Sequence, residues 1–228
     1  MKPAAQQIAY GDDPAQYGEL TLPDGTPRGA AVVVHGGFWK PEYGIEYAHP
    51  LVPSLVAAGW VVWAIEYRRG TGAADTLADV RAAIDARPEV TGPVVAIGHS
   101  AGGHLATWAA AGGGLTHVVS QAGVLDLRSA HDLGLGGGAV ERFLGHPPGP
   151  VDAGVDPVRQ VPLDVPVWCV HGRDDDIVPI SQSRSYVEAA RAAGATAELV
   201  EVDGDHFAVV DPESTAWART LEILGAIG

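Results

Sequence analysis

Apolar residues come in blocks along this chain rather than in simple alternation. Ala30-Ala31-Val32-Val33-Val34 is apolar throughout, and strand-like runs recur at 61–65, 94–98, 117–121, 166–170 and 197–202. A short run that is apolar on both sides of the pleat predicts a strand covered on both faces. Helix-like stretches at 46–58, 75–86, 101–111, 181–193 and 213–226 alternate with these runs. Strands separated by helices of about 10 to 15 residues predict right-handed crossovers and a mostly parallel sheet between two helical layers. In such a three-layer α/β sandwich, ligands gather beyond the carboxyl ends of the strands.

Two stretches depart from the rhythm. Near the start, Tyr17–Leu22 reads as an edge strand or hairpin, closed by the turn residues Pro23-Asp24-Gly25-Thr26-Pro27. Later, residues 123–164 carry glycines from 134 to 138 broken only by Leu135, then Gly145-His146-Pro147-Pro148-Gly149-Pro150, with a short helix expected at 139–144. This stretch is read as a small lid or an irregular connection, and its length favours a role at a pocket. No repeat or linker divides the chain, so residues 1–228 are expected to form a single domain, and 228 residues suffice to bury a sizeable core.

Composition narrows the partners. With 28 acidic against 14 basic residues the formal charge is −14, which gives no electrostatic support for nucleic acid or an anionic membrane. No apolar run is long enough to span a bilayer, and the opening residues, Lys2 among them, show no leader-like stretch. Cys169 is the only cysteine, which excludes an intrachain disulfide and fits a reducing, cytoplasmic setting. The sequence does not indicate an oligomeric state.

The chemistry begins at Gly98-His99-Ser100-Ala101-Gly102, which follows the strand-like 94–98 and precedes a helix-like stretch. Gly-x-Ser-x-Gly between strand and helix is the signature of a sharp turn that lifts a serine hydroxyl above the sheet. The amide of Ala101 then lies in the first helical turn, without a helical partner, and is free to donate to an oxyanion. Ser100 as a mere helix cap is the structural alternative.

A serine nucleophile needs a histidine base and a group that fixes the imidazole, expected in the order serine, acid, histidine. The strand-like 166–170 runs into His171-Gly172-Arg173-Asp174-Asp175-Asp176. Three adjacent carboxylates are available, and local spacing leaves Asp174, Asp175 and Asp176 all open. They lack the alternating oxygen ligands of a calcium loop, so no metal is expected. His206 follows the strand-like 197–202 and is the only histidine after the candidate acid. His35, His99, His104, His117 and His171 read as structural, and His49, His131 and His146 as loop-borne.

His35-Gly36-Gly37-Phe38-Trp39 supplies a second glycine-rich turn, after the first apolar strand. Its glycines let backbone approach the serine closely, and the amide of Gly37 or Phe38 is the expected partner of Ala101 in an oxyanion hole. Phe38, Trp39 and His99 are candidate walls of a substrate pocket, with core packing the alternative for the aromatics.

With these motifs assembled, the chain resembles the kynurenine formamidases within the α/β-hydrolase esterase group. The similarity lies in His35–Trp39, Glu66-Tyr67-Arg68, Gly98–Gly102, Gly123-Val124-Leu125-Asp126-Leu127, the turn from His171 to Pro179, and His206. It covers residue 29 to the C-terminus. The resemblance implies an α/β-hydrolase fold with a minimal lid, and Ser100, Asp175 and His206 as triad. It further implies a small ester or amide substrate and no cofactor. An aryl formamide such as N-formylkynurenine is the first expectation and a short-chain carboxylic ester the alternative; an inactive hydrolase-like binding protein is the reading of another class.

Overall fold

The computed structural model describes residues 5–227; Lys2 and its neighbours lie outside that range. Among the described residues, eight strands form one sheet: β1 (Gln6–Ala9), β2 (Tyr17–Thr21), β3 (Gly29–Val34), β4 (Trp60–Ile65), β5 (Val94–His99), β6 (His117–Gln121), β7 (Val167–Gly172) and β8 (Ala197–Val202). Their spatial order is β1-β2-β4-β3-β5-β6-β7-β8. β1 and β2 run antiparallel to their neighbours, and the pairings from β3 to β8 are parallel.

The unbroken apolar runs account for the layering. Ala30, Val32 and Val34 of β3 belong to one core, while Ala31 and Val33 belong to the other. Helices α2 (Ala73–Asp85), α3 (Ala101–Ala110) and α6 (Ser181–Ala192) cover the first face. The second lies under α1 (Val52–Ala57) and α7 (Thr215–Ala226), which contribute Leu55 and Trp217. This is the three-layer α/β-hydrolase arrangement.

The helix expected over 46–58 is instead two 3-10 turns, Ile45–Tyr47 and His49–Leu51, followed by α1. Pro50 and Pro53 lack the amide donors that a continuous α-helix would use. β1 had no counterpart in the reading of the pattern.

The stretch 123–164 holds α4 (Leu127–Asp132), α5 (Leu135–Leu144) and two 3-10 turns. Asp126 caps α4 by accepting from Ser129 N at 2.8 Å. Buried Gln182 accepts from the amides of Leu125 and Asp126 at 3.0 and 2.9 Å, and buried Asp156 from Leu127 N at 3.0 Å. α5 is right-handed only from Ala139, because Gly136, Gly137 and Gly138 take left-handed backbone angles. That start matches the short helix expected at 139–144.

The strand order also locates the site. The chain leaves β3 for β4 on one side, then returns to place β5 on the other. Connections leaving β3 and β5 therefore diverge, and a crevice opens between their carboxyl ends. His35–Trp39 and Ser100 lie at that crevice.

Candidate active site

Ser100 sits between β5 and α3 with φ 56° and ψ −119°, a conformation costly for a non-glycine residue. The surroundings enforce it. Ser100 N donates to Gln121 O at 2.8 Å, and Ser100 O accepts from Val124 N and His104 N, both at 3.2 Å. A Cβ on Gly98 would lie 2.1 Å from Gly102 O, and one on Gly102 would lie 2.1 Å from Val34 O. Backbone occupies the space that larger residues would need, so the glycines of the motif serve close packing.

The loop after β3 is strained as well. Lys40 N donates to Gly37 O at 3.0 Å, closing a turn whose central residues, Phe38 and Trp39, have φ of 52° and 55°. Left-handed backbone costs roughly 1–2 kcal/mol at each such residue. Side chains hold the turn in place. Trp39 is buried, stacks on Phe143 with ring centres 4.4 Å apart, and meets His104 edge-on. Its carbonyl accepts from Gly70 N at 3.0 Å. Behind the turn, buried Glu66 contacts His35 Nε2 at 3.0 Å and accepts from Ile45 N at 3.0 Å.

The acid turn separates its three carboxylates. Asp174 and Asp176 are exposed, whereas the Asp175 side chain is wholly buried. Asp175 Oδ1 accepts from the amides of Ile177 and Val178 at 3.0 and 2.8 Å, and Oδ2 lies 2.7 Å from His206 Nδ1 and 3.2 Å from His171 Nε2. Burial alone would raise the Asp175 pKa. Hydrogen bonds from His171, His206 and the backbone outweigh it, and the carboxyl is held well below its ordinary range. Asp205, beside His206 in sequence, is exposed and accepts from Phe207 N and Ala208 N in its own loop.

His99 joins the serine turn to the histidine loop. Its Nε2–H donates to the carbonyl of His206 at 2.9 Å, and the two rings lie 4.6 Å apart. Burial, reinforced by His206, pushes the His99 pKa down to about 3. The ring is therefore a neutral donor.

Ser100 and His206 open together onto a cavity of about 200 Å³ walled by Phe38, Tyr43, Tyr47 and Phe207, with no Asp, Glu, Lys or Arg among the described residues of its lining. Gly37 and His99 also line it. Trp39, expected as a candidate wall, does not: stacking on Phe143 draws its indole into the core. Among the described residues, no hydrogen bond joins Ser100 Oγ to the imidazole, and such contacts often tighten only when substrate is bound. Tyr43, Tyr47, Ile177 and Phe207 escaped the sequence reading. The spacing of Tyr43 and Tyr47 and the position of Phe207 beside His206 were the available signals.

A strand-turn-serine-helix element beside a buried Asp–His pair on a mostly parallel sheet defines the α/β-hydrolase class. Within that class, residues 63–223 match the model of the prolyl oligopeptidase family, and the chain belongs to that family. Esterase LipC of Mycobacterium tuberculosis is 27% identical over 222 residues, covering 82% of this chain and 55% of LipC. The probable carboxylic ester hydrolase LipM of the same organism is 29% identical over 228 residues, covering 81% of this chain and 51% of LipM. This chain thus spans about half the length of these curated relatives. A propionate-bound esterase from the planctomycete Thermogutta terrifontis superposes with a TM-score of 0.75 at 26% identity, covering 97% of this chain and 92% of that one. These relatives carry esterase names; the formamidase subgroup expected from the motifs is not among them.

Proposed function

We propose that this chain is a serine carboxylesterase acting through Ser100, His206 and Asp175 on small esters whose reacting part is uncharged. The observation that carries the reading is the Asp175–His206 pair opening with Ser100 onto a charge-free, aromatic-walled cavity. His206 takes the Ser100 proton as Oγ attacks the ester carbonyl. The amide of Ala101, with that of Gly37 or Phe38, receives the developing oxyanion, each donor contributing about 3–4 kcal/mol. His206 then protonates the departing alcohol, and water repeats the sequence on the acyl-serine. Asp175 stays ionised throughout, fixing the imidazole tautomer and supporting its positive form. The cycle uses no cofactor.

Aryl formamides are the second reading, supported by the four aromatic walls. Short p-nitrophenyl esters assayed beside N-formylkynurenine separate the two; the ester reading predicts the higher kcat/KM for acetate or butyrate esters and fails if the formamide is clearly preferred. Ser100→Ala should abolish fluorophosphonate labelling and lower turnover by about 10⁴-fold or more. Asp175→Asn should cost about 10³–10⁴-fold, with Asp174→Asn and Asp176→Asn nearly silent. Wild-type turnover in Ser100→Ala would end the assignment.

A further inference from the structure

Phe38 lines a second cleft besides the one that holds Ser100. This neighbouring space, about 270 Å³, is bounded by Phe38, Trp39, Lys40, Arg142 and Phe143 among others, and among the described residues its lining includes two cations and no carboxylate. Ion pairs of arginine or lysine among the described residues involve Arg68, Arg69, Arg128, Arg173, Arg184 and Arg219, but neither Lys40 nor Arg142.

Both cations are held by neutral groups. Arg142 donates to the carbonyls of Gly137 and Gly136 at 2.5 and 2.9 Å, carbonyls presented by the left-handed glycine turn. Lys40 Nζ lies 5.7 Å from the centre of the Phe38 ring. Neutral partners restrain these side chains without cancelling their charge. In the cleft that holds Arg128 and Arg159, by contrast, Asp152 and Asp156 share the lining. Two uncompensated cations in one cleft run against the composition of a chain with twice as many acids as bases. The buried Nε1 of Trp39, which borders the same cleft, has no acceptor among the described residues.

We propose that this cleft receives a carboxylate carried by the substrate, so that the enzyme acts on esters with an anionic arm reaching past Phe38. The inference rests on the serine-esterase reading, since it places the reacting carbonyl in the adjoining neutral cavity. Arg142 spends one N–H of each terminal nitrogen on carbonyls, and a carboxylate, with one charge and two acceptor oxygens, suits the donors that remain beside the Lys40 ammonium. At physiological salt, screening over about 8 Å confines the attraction to groups that enter the cleft.

Two matched pairs test this on the whole chain, each corrected for its uncatalysed rate. In the first, the p-nitrophenyl half-ester of glutarate is compared with p-nitrophenyl pentanoate, which puts the charge on the acyl side. In the second, 4-acetoxybenzoate is compared with 4-acetoxybenzamide, which puts it on the leaving group. In at least one pair the anionic member should show a kcat/KM about tenfold higher through a lower KM, fading as salt is raised. Lys40→Met and Arg142→Met should each reduce that ratio severalfold, with folding checked by thermal melting, whereas Arg87→Gln should leave it intact.

A neutral preference in both pairs, or a ratio indifferent to Lys40→Met and Arg142→Met, overturns the proposal. So does competition by free glutarate or inorganic phosphate without any preference among esters, which would assign the cleft to a free anion. Turnover of neutral esters with no anionic preference removes this inference alone; no turnover of any ester removes the esterase reading with it.

Discussion

Ser100 and the Phe38–Trp39 turn both hold bulkier-than-glycine residues at positive φ, yet they are held there by different means. At the serine, backbone presses on backbone: Gly98 and Gly102 have carbonyl oxygens where a Cβ would stand. At the aromatic turn, one backbone hydrogen bond closes the loop, while the stacking that anchors it comes from Phe143, about a hundred residues further on. Strain enforced by backbone contact demands glycine at fixed positions around the serine, and that spacing is visible in the sequence. At the aromatic turn the motif His35–Trp39 is visible too, but nothing in it tells which distant side chain holds the strain.

Substitutions test that contrast. The largest effect should come from Gly102→Ala, whose added methyl meets Val34 O at 2.1 Å and His35 O at 2.5 Å. Neither oxygen can move without shifting β3, so a loss above about 4 kcal/mol is expected, read as lost soluble yield or a collapsed melting temperature. Trp39→Ala should cost about 3 kcal/mol in denaturant unfolding, because it removes a buried ring from a stack that the backbone cannot replace. Should Trp39→Ala leave stability and turnover untouched, the turn would be backbone-held too and the contrast would vanish.

Acid titration probes both regions at once. His99 beside the serine and His104 beside Trp39 are buried, and their pKa values are pushed down to about 3 and about 4 by desolvation. In the unfolded chain an imidazole protonates near 6.5, so stability is complete above that pH. Below it the unfolded state binds more protons, and stability falls at about 1.4 kcal/mol per pH unit for each ring until the folded value is reached. His99→Gln or His104→Gln should each remove one ring's share of the slope in urea melts between pH 6 and 4. The smallest effect belongs to Phe38→Gly: relief of left-handed strain and loss of a half-buried ring should nearly cancel, leaving a change within about 1 kcal/mol. A large loss there would mean that Phe38 itself anchors the turn.

The same distinction explains what could be read in advance. The central strands β3, β4 and β5 were legible because strands buried on both faces need continuous apolar runs, and these are visible in Ala30–Val34 and Val94–Ile97. β1 was not legible, because Gln6-Gln7-Ile8-Ala9 is largely exposed and is held by pairing with Tyr17–Leu20 rather than by an apolar face. Among the three adjacent aspartates, local spacing offered no choice; burial of Asp175 beside His206 depends on how the turn after β7 meets the loop after β8. Trp39 could be read either as pocket wall or as core, and only α5, which carries Phe143, decides between them.

The glycines near α5 have a consequence in terms of chirality. Positions 134, 136, 137, 138 and 145 all take positive φ, and three of them are consecutive. Gly136–Gly138 thus form a brief turn of left-handed helix, written in the one residue type that has no handedness. A mirror-image amino acid is at ease where an ordinary one is strained. D-alanine introduced by chemical ligation at exposed position 137 should therefore rigidify the unfolded chain and stabilise the fold by roughly 0.4–1 kcal/mol, while L-alanine at the same position destabilises it. What looks like slack in the sequence is a short stretch of opposite-handed structure, and Arg142 is fastened to its carbonyls.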